Sequence, residues 1–148
     1  MREPSPIIAS VVRVPLVFVL LPGYALAADL KVEAIDVGQA DAIVVTCPDG
    51  DDHLLIDSGD TRYSGSSQSF RDRMEALFSE GKRHLGVVVA SHPHQDHIGS
   101  MTWVLQNFWV KRYVDNGQKF DTACFGRLDA LRRKLVKNVT RLSPCNNI

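Results

Sequence analysis

The sequence predicts a mixed α/β domain, and three observations predict it. Short alternating runs near Lys31, Asp41 and His53 have strand character. Leu85 to Ala90 is a continuous apolar run of the kind found in strands covered on both faces. Apolar residues recur at helical spacing on either side of that run.

The elements follow in order. Lys31 to Val37 alternates and reads as a strand, broken at Gly38-Gln39-Ala40. Asp41 to Cys47 reads as a second strand, since Ile43, Val44 and Val45 suit a pleated surface. Pro48-Asp49-Gly50-Asp51 is a turn. His53 to Ile56 is a third strand, so the opening is an antiparallel meander. Thr61 to Ser69 is Ser/Gly-rich and reads as a loop. Phe70, Met74, Leu77 and Phe78 then form one face of a helix that stops near Gly81. After the apolar run, Met101, Val104, Leu105 and Phe108 make a second helical stripe. Val110 to Val114 is a strand and Asp115-Asn116-Gly117 a turn. Leu128, Leu131 and Leu135 mark a last helix. Its basic residues Arg132, Arg133, Lys134 and Lys137 suit a helix C-terminus and read as a solvated face, with contact to phosphate as the alternative.

Residues 1–27 stand apart. Arg2 and Arg13 precede the apolar run Val14 to Leu21, and Ala25 and Ala27 match an A-x-A cleavage pattern. The run is too short to span a bilayer, which needs ~20 apolar residues. Residues 1–27 are therefore expected to be a signal peptide, and 28–148 the domain, exported to the periplasm or medium, with no membrane span after cleavage. Removing Arg2, Glu3 and Arg13 leaves fifteen basic against sixteen acidic residues. No bulk field then attracts nucleic acid, and any such attraction must come from a local patch or a metal. Cys47, Cys124 and Cys145 permit one disulfide with one thiol over. No C-x-x-C pair argues for a structural zinc knuckle.

The chemistry concentrates in Ser91-His92-Pro93-His94-Gln95-Asp96-His97, directly after the apolar strand. Ligands in open α/β sheets bind outside the carboxyl ends of strands. Imidazole and carboxylate are zinc ligands. In extended backbone, His92 and His94 share a face and can reach one metal. Asp96 and His97 begin the following turn and can reach a second. Asp96 is also the catalytic candidate, a ligand placed to orient a nucleophilic water. His53 and His84 fit no pattern and are expected at the surface.

The run H-x-H-x-D-H resembles the signature of the metallo-β-lactamase superfamily. Ile35-Asp36-Val37-Gly38-Gln39-Ala40-Asp41 and Leu54-Leu55-Ile56-Asp57-Ser58-Gly59 sharpen the likeness to the hydrolase domain of ComEC-type competence proteins, over roughly Val32 to Val114. The resemblance implies an αββα sandwich, of which this chain would hold the N-terminal half. It implies one or two zinc ions, with manganese or iron suiting the same donors. His92 and His94 would hold the first ion, Asp96 and His97 the second. Asp57 would lie beneath and orient the ligands. The opening loop with Asp36, Gln39 and Asp41 is read as structural, with lining of the site as the alternative. The implied reaction is attack of a metal-bound hydroxide on a phosphoester, in a small molecule or nucleic acid. A lactam, lactone or thioester is the runner-up.

The family's later ligands, a further histidine, a bridging aspartate and a last histidine, have no counterpart here. No histidine follows His97, and Asp115, Asp121 and Asp129 lack the expected strand-end setting. Whether the chain is an enzyme is accordingly left open. A truncated inactive remnant, a metal-binding interaction module, or a half-domain completed by a partner chain are the rival expectations. The absent half is also expected to leave one sheet face bare.

Overall fold

The computed structural model describes residues 29–142 except 49, 51, 63, 79, 80 and 82. The expected signal peptide and Cys145 lie outside the described residues. The elements are β1 (Lys31–Ala34), β2 (Ile43–Thr46), β3 (His53–Ile56), α1 (Ser64–Leu77), β4 (His84–Ala90), α2 (Gln95–Ile98), α3 (Met101–Asn107), β5 (Trp109–Asp115), α4 (Ala123–Leu135) and β6 (Val139–Arg141). They form one six-stranded sheet in the order β1-β2-β3-β4-β5-β6. β1, β2 and β3 pair antiparallel, as the meander predicts. β3 to β6 pair parallel.

This topology dictates where the helices go. Each parallel step from β3 to β6 moves in the same direction across the sheet. Crossovers of this kind are overwhelmingly right-handed. Successive right-handed crossovers in one direction put their helices on one face. The burial pattern follows. Val44, Leu55, Val88 and Tyr113 lie in one row across four strands and are 0–2% exposed. They join Phe70 and Met74 of α1, Met101 and Val104 of α3, and Leu128 of α4 in a single core. Phe78 and Phe108 meet edge-on at 5.0 Å, and Trp103 and Phe108 at 5.7 Å.

The rows on either side alternate to the opposite face. Val32 is 63% exposed. Its row partners Val45, Leu54 and Val87 are only half-buried, as are Ile43, Ile56, Val89 and Val114 in the next row but one. Among the described residues no helix covers this apolar face, as expected. The expectation of a strand covered on both faces is corrected for β4: Val88 is buried, but Val87 and Val89 are not, because no described element packs on their side.

Three further expectations need correcting. α1 begins at Ser64, not at Phe70; docking of Phe70 and Met74 on the sheet, with a Gln68–Asp72 side-chain bond of 2.7 Å, carries the helix back through residues of low propensity. β6 escaped notice because three residues are too few for a periodic signal; pairing with β5 creates it. His53 is half-buried, its ring 4.5 Å from that of Phe78. α4 starts where a Thr122 side chain accepts from Phe125 N at 3.2 Å, an N-cap. Cys47 and Cys124 are unpaired. No helix among the described residues is long and apolar enough to cross a membrane.

Candidate metal centre

The site grows from the parallel pairing of β3 and β4, which brings their carboxyl ends side by side. β3 runs out into Asp57-Ser58-Gly59-Asp60, and β4 into Ser91 and the histidine run. Asp57 N donates to Val89 O at 2.9 Å. Its backbone is left-handed, with φ 56°, a conformation that aspartate tolerates better than most residues. The turn sends its side chain beneath the histidines. Asp57 is 3% exposed. A buried carboxylate needs donors, and three are present. Oδ1 accepts from Ser91 N at 2.8 Å, and Oδ2 from Ser91 Oγ at 2.5 Å and His97 Nδ1 at 2.7 Å.

Backbone bonds knit three distant loops around this carboxylate. Ser58 N donates to His97 O at 2.7 Å, Gly59 N to Asp41 O at 2.9 Å, and Gly99 N to Gly59 O at 2.9 Å. Gly99 is obligatory. A Cβ there would lie 2.6 Å from Gly59 O and 2.7 Å from Gln95 O. Asp60 is fully buried. It accepts from Arg62 N and Nε, both at 2.8 Å, and from Gln95 Nε2 at 3.3 Å. Burial alone would push its carboxyl up; the Arg62 bonds outweigh this and hold it below its ordinary pKa.

The imidazoles crowd above. The rings of His92 and His97 are 3.7 Å apart, and those of His92 and His94 4.7 Å. His94 also meets Phe120 at 4.8 Å. Asp96 Oδ2 lies 3.6 Å from His97 Nε2. Burial, then the neighbouring His97 and His94, lower the pKa of His92. The neutral form so favoured is the one that ligates metal.

Comparison with known proteins agrees with this geometry. The family described as Metallo-beta-lactamase superfamily matches residues 35–134. The chain belongs to the metallo-beta-lactamase superfamily. A similar protein is ComE operon protein 3 of Bacillus subtilis (strain 168), 32% identical over 100 residues. That match covers 60% of this chain and 13% of the relative, so the chain spans a small part of the relative's length.

Proteins of the superfamily generally bind metal ions such as zinc, and the donors here fit one by type. Three imidazoles, Asp96 and Asp57 share a small volume, and Ser91 and Asp57 fix the ring of His97. Among the described residues, however, no group of three or more His, Cys, Asp or Glu converges as it stands to hold an ion. His97 Nδ1 is engaged by Asp57, so Nε2 is the ring nitrogen that could meet a metal.

All five residues singled out from the superfamily motifs, His92, His94, Asp96, His97 and Asp57, come together. Asp41, whose loop was read as structural with lining of the site as the alternative, reaches to 3.6 Å of His97 Nδ1 and is 66% exposed at the rim, which favours the alternative. The sequence reading missed three others. Ser91 Oγ links Asp57 to His92 Nδ1 at 3.0 Å, and Asn116 Nδ2 donates to Ser91 O at 3.0 Å. Asp60 had no signal beyond its place after Gly59.

Proposed function

We propose that this chain is an exported metal-dependent hydrolase of the metallo-beta-lactamase fold that acts on phosphoester bonds. The observation that carries this reading is the gathering of three imidazoles and Asp96 over a buried, hydrogen-bonded Asp57 at the carboxyl ends of β3 and β4. His92 and His94 would hold one ion, Asp96 and His97 a second. Zinc suits this donor set, and manganese or iron share its preferences. Such an ion supplies a Lewis acid and lowers the pKa of a water toward neutrality.

The chain's own groups do the positioning. Asp57 is acceptor-only as a carboxylate, so it keeps a proton on His97 Nδ1 and a lone pair on Nε2. Ser91 ties Asp57 to His92. Asp96, 39% exposed at the side chain, stands where substrate and water enter, and is the candidate for orienting the attacking water. The apolar run Val14 to Leu21 followed by Ala25 and Ala27 supports export.

A second reading, an inactive remnant or metal-binding interaction module, draws on the bare sheet face and on the lack of three converging donors among the described residues. Zinc and manganese content of the purified chain separates the two. A working site retains close to one equivalent or more, lost in His94→Ala. Less than about a tenth of an equivalent sinks the enzyme reading. Parallel assays with bis(p-nitrophenyl) phosphate and a chromogenic lactam, on the metal-loaded chain, decide between phosphoester and carboxylic substrates.

A further inference from the structure

Of the basic residues near the end of α4, Arg133, Lys134 and Lys137 are exposed, as the solvated-face reading expects, and Arg132 alone is not. Arg132 is only 6% exposed. Its guanidinium bonds to Asp129 and lies 5.8 Å over the Tyr113 ring. Burial raises the Tyr113 pKa far above its ordinary value, so that ring is neutral. Arg133 makes two bonds to the same Asp129, at 2.9 and 2.7 Å. Asp129 and Arg132 thus lie near Tyr113 and Asp115 of β5, in a cleft that His92 and Pro93 also line.

Two narrow clefts join there. One is lined by His92 and Pro93 on one side and by Tyr113, Asp129 and Arg132 on the other. The second shares Asp129 and Arg132 and continues to Lys119, Arg133 and Arg141. The second cleft carries four cations, Lys119, Arg132, Arg133 and Arg141, against two carboxylates, Asp115 and Asp129, an excess of two. Arg133 and Arg141 are 66% and 59% exposed. Both clefts are too narrow for an anion to enter, so it would lie across their shared mouth.

We propose that this mouth seats a second phosphate of an extended phosphodiester chain whose scissile phosphate lies at the histidine site. The inference rests on the phosphoester reading above. It names Arg133 and Arg141 as specificity-determining residues, which favour a strand over an isolated phosphate ester. It also locates the local patch that a chain with no bulk positive charge requires. Asp129 and Asp115 hold the guanidiniums in place, and each guanidinium has donors left for phosphate oxygens.

The test is fluorescence anisotropy of a labelled thymidine dodecamer against the full chain in chelator, which needs no turnover. Wild type should bind with an affinity that falls steeply with salt. Arg133→Gln with Arg141→Gln should weaken binding roughly tenfold at low salt, as expected for lost charge-assisted contacts. The log-log salt slope should drop by about 0.7 for each phosphate contact removed. Lys137→Gln, an exposed cation outside both clefts, controls for charge alone and should bind within twofold of wild type. No binding by wild type, an unchanged double variant, or an equal loss in Lys137→Gln would each overturn the proposal. Turnover is scored separately. Binding as described without phosphodiester hydrolysis keeps the cleft and removes the reaction. Hydrolysis with an unaffected double variant does the reverse.

Discussion

Replacing Asp57 by asparagine tests the support beneath the candidate site. Asparagine accepts the left-handed backbone at φ 56° without added strain. Its oxygen can keep the Ser91 N bond of 2.8 Å. Its amide must then occupy the place of Oδ2, facing Ser91 Oγ at 2.5 Å and His97 Nδ1 at 2.7 Å. The Ser91 hydroxyl can rotate and accept. His97 Nδ1–H cannot, so one charge-assisted bond is lost in a place 3% exposed. The cost is about 1.5–3 kcal/mol. His97 can relieve it by moving its proton to Nε2, but that removes the lone pair available to a metal. Zinc affinity should then fall about 10–100-fold, as for other supports of ligating histidines. Urea denaturation of the metal-free chain measures the first quantity, and zinc competition with a chromogenic chelator the second. Long-range proton–nitrogen correlation of the His97 ring reads the tautomer. Stability within about 0.5 kcal/mol of wild type, with His97 still protonated at Nδ1, would refute the reasoning.

Adjacent residues of β4 should respond differently to truncation. Val88→Ala removes two methyls from a fully buried site and should cost about 2 kcal/mol, whereas half-buried Val87→Ala should cost less than about 1; equal shifts in urea midpoint would mean that both faces are covered. Gly99→Ala drives a methyl into Gly59 O and Gln95 O and should cost about 2 kcal/mol or more, with amide shifts concentrated at residues 57–61 and 94–99; a wild-type midpoint would contradict the loop contact. Glu33 bonds Arg73 with both oxygens, and that hydrogen bonding chiefly holds its pKa at about 2 instead of 4.5. The folded pKa is depressed, so the contribution is present above pH 4.5 and is lost as pH falls toward 2. Arg73 is 38% exposed, so solvent screening leaves about 1 kcal/mol at neutral pH. Glu33→Gln should differ from wild type by that amount at pH 7 and converge with it near pH 2; a pH-independent gap would exclude the linkage.

Local pattern carried much of this protein. The strands at Ile43 and His53 and the helical stripes at Met101 and Leu128 were legible because each buries one face with its own period, and the strand at Leu85 because its apolar run is unbroken. The four residues of H-x-H-x-D-H were legible because ligand chemistry was concentrated within six positions. Elements were misjudged where they depend on distant partners. Ser64 to Ser69 is helical only because Phe70 and Met74 dock on the sheet, and β6 exists only as a pair for β5. Arg132 looked solvated because nothing nearby in sequence announces Tyr113 beneath it.

By itself, the sequence determined the mixed α/β class, the superfamily and the cluster of imidazole and carboxylate side chains, since all three reside in short contiguous runs. The tertiary structure decided which residues meet. Asp57 and His97 lie forty positions apart, and their bond exists because parallel β3 and β4 end side by side. Asp41 arrives at the rim through its backbone bond to Gly59. The one-sided placement of the described helices, and with it a sheet face that none of them covers, follows from three successive crossovers in one direction. No local run of residues encodes that property, because it belongs to the order in which strands are added to the sheet.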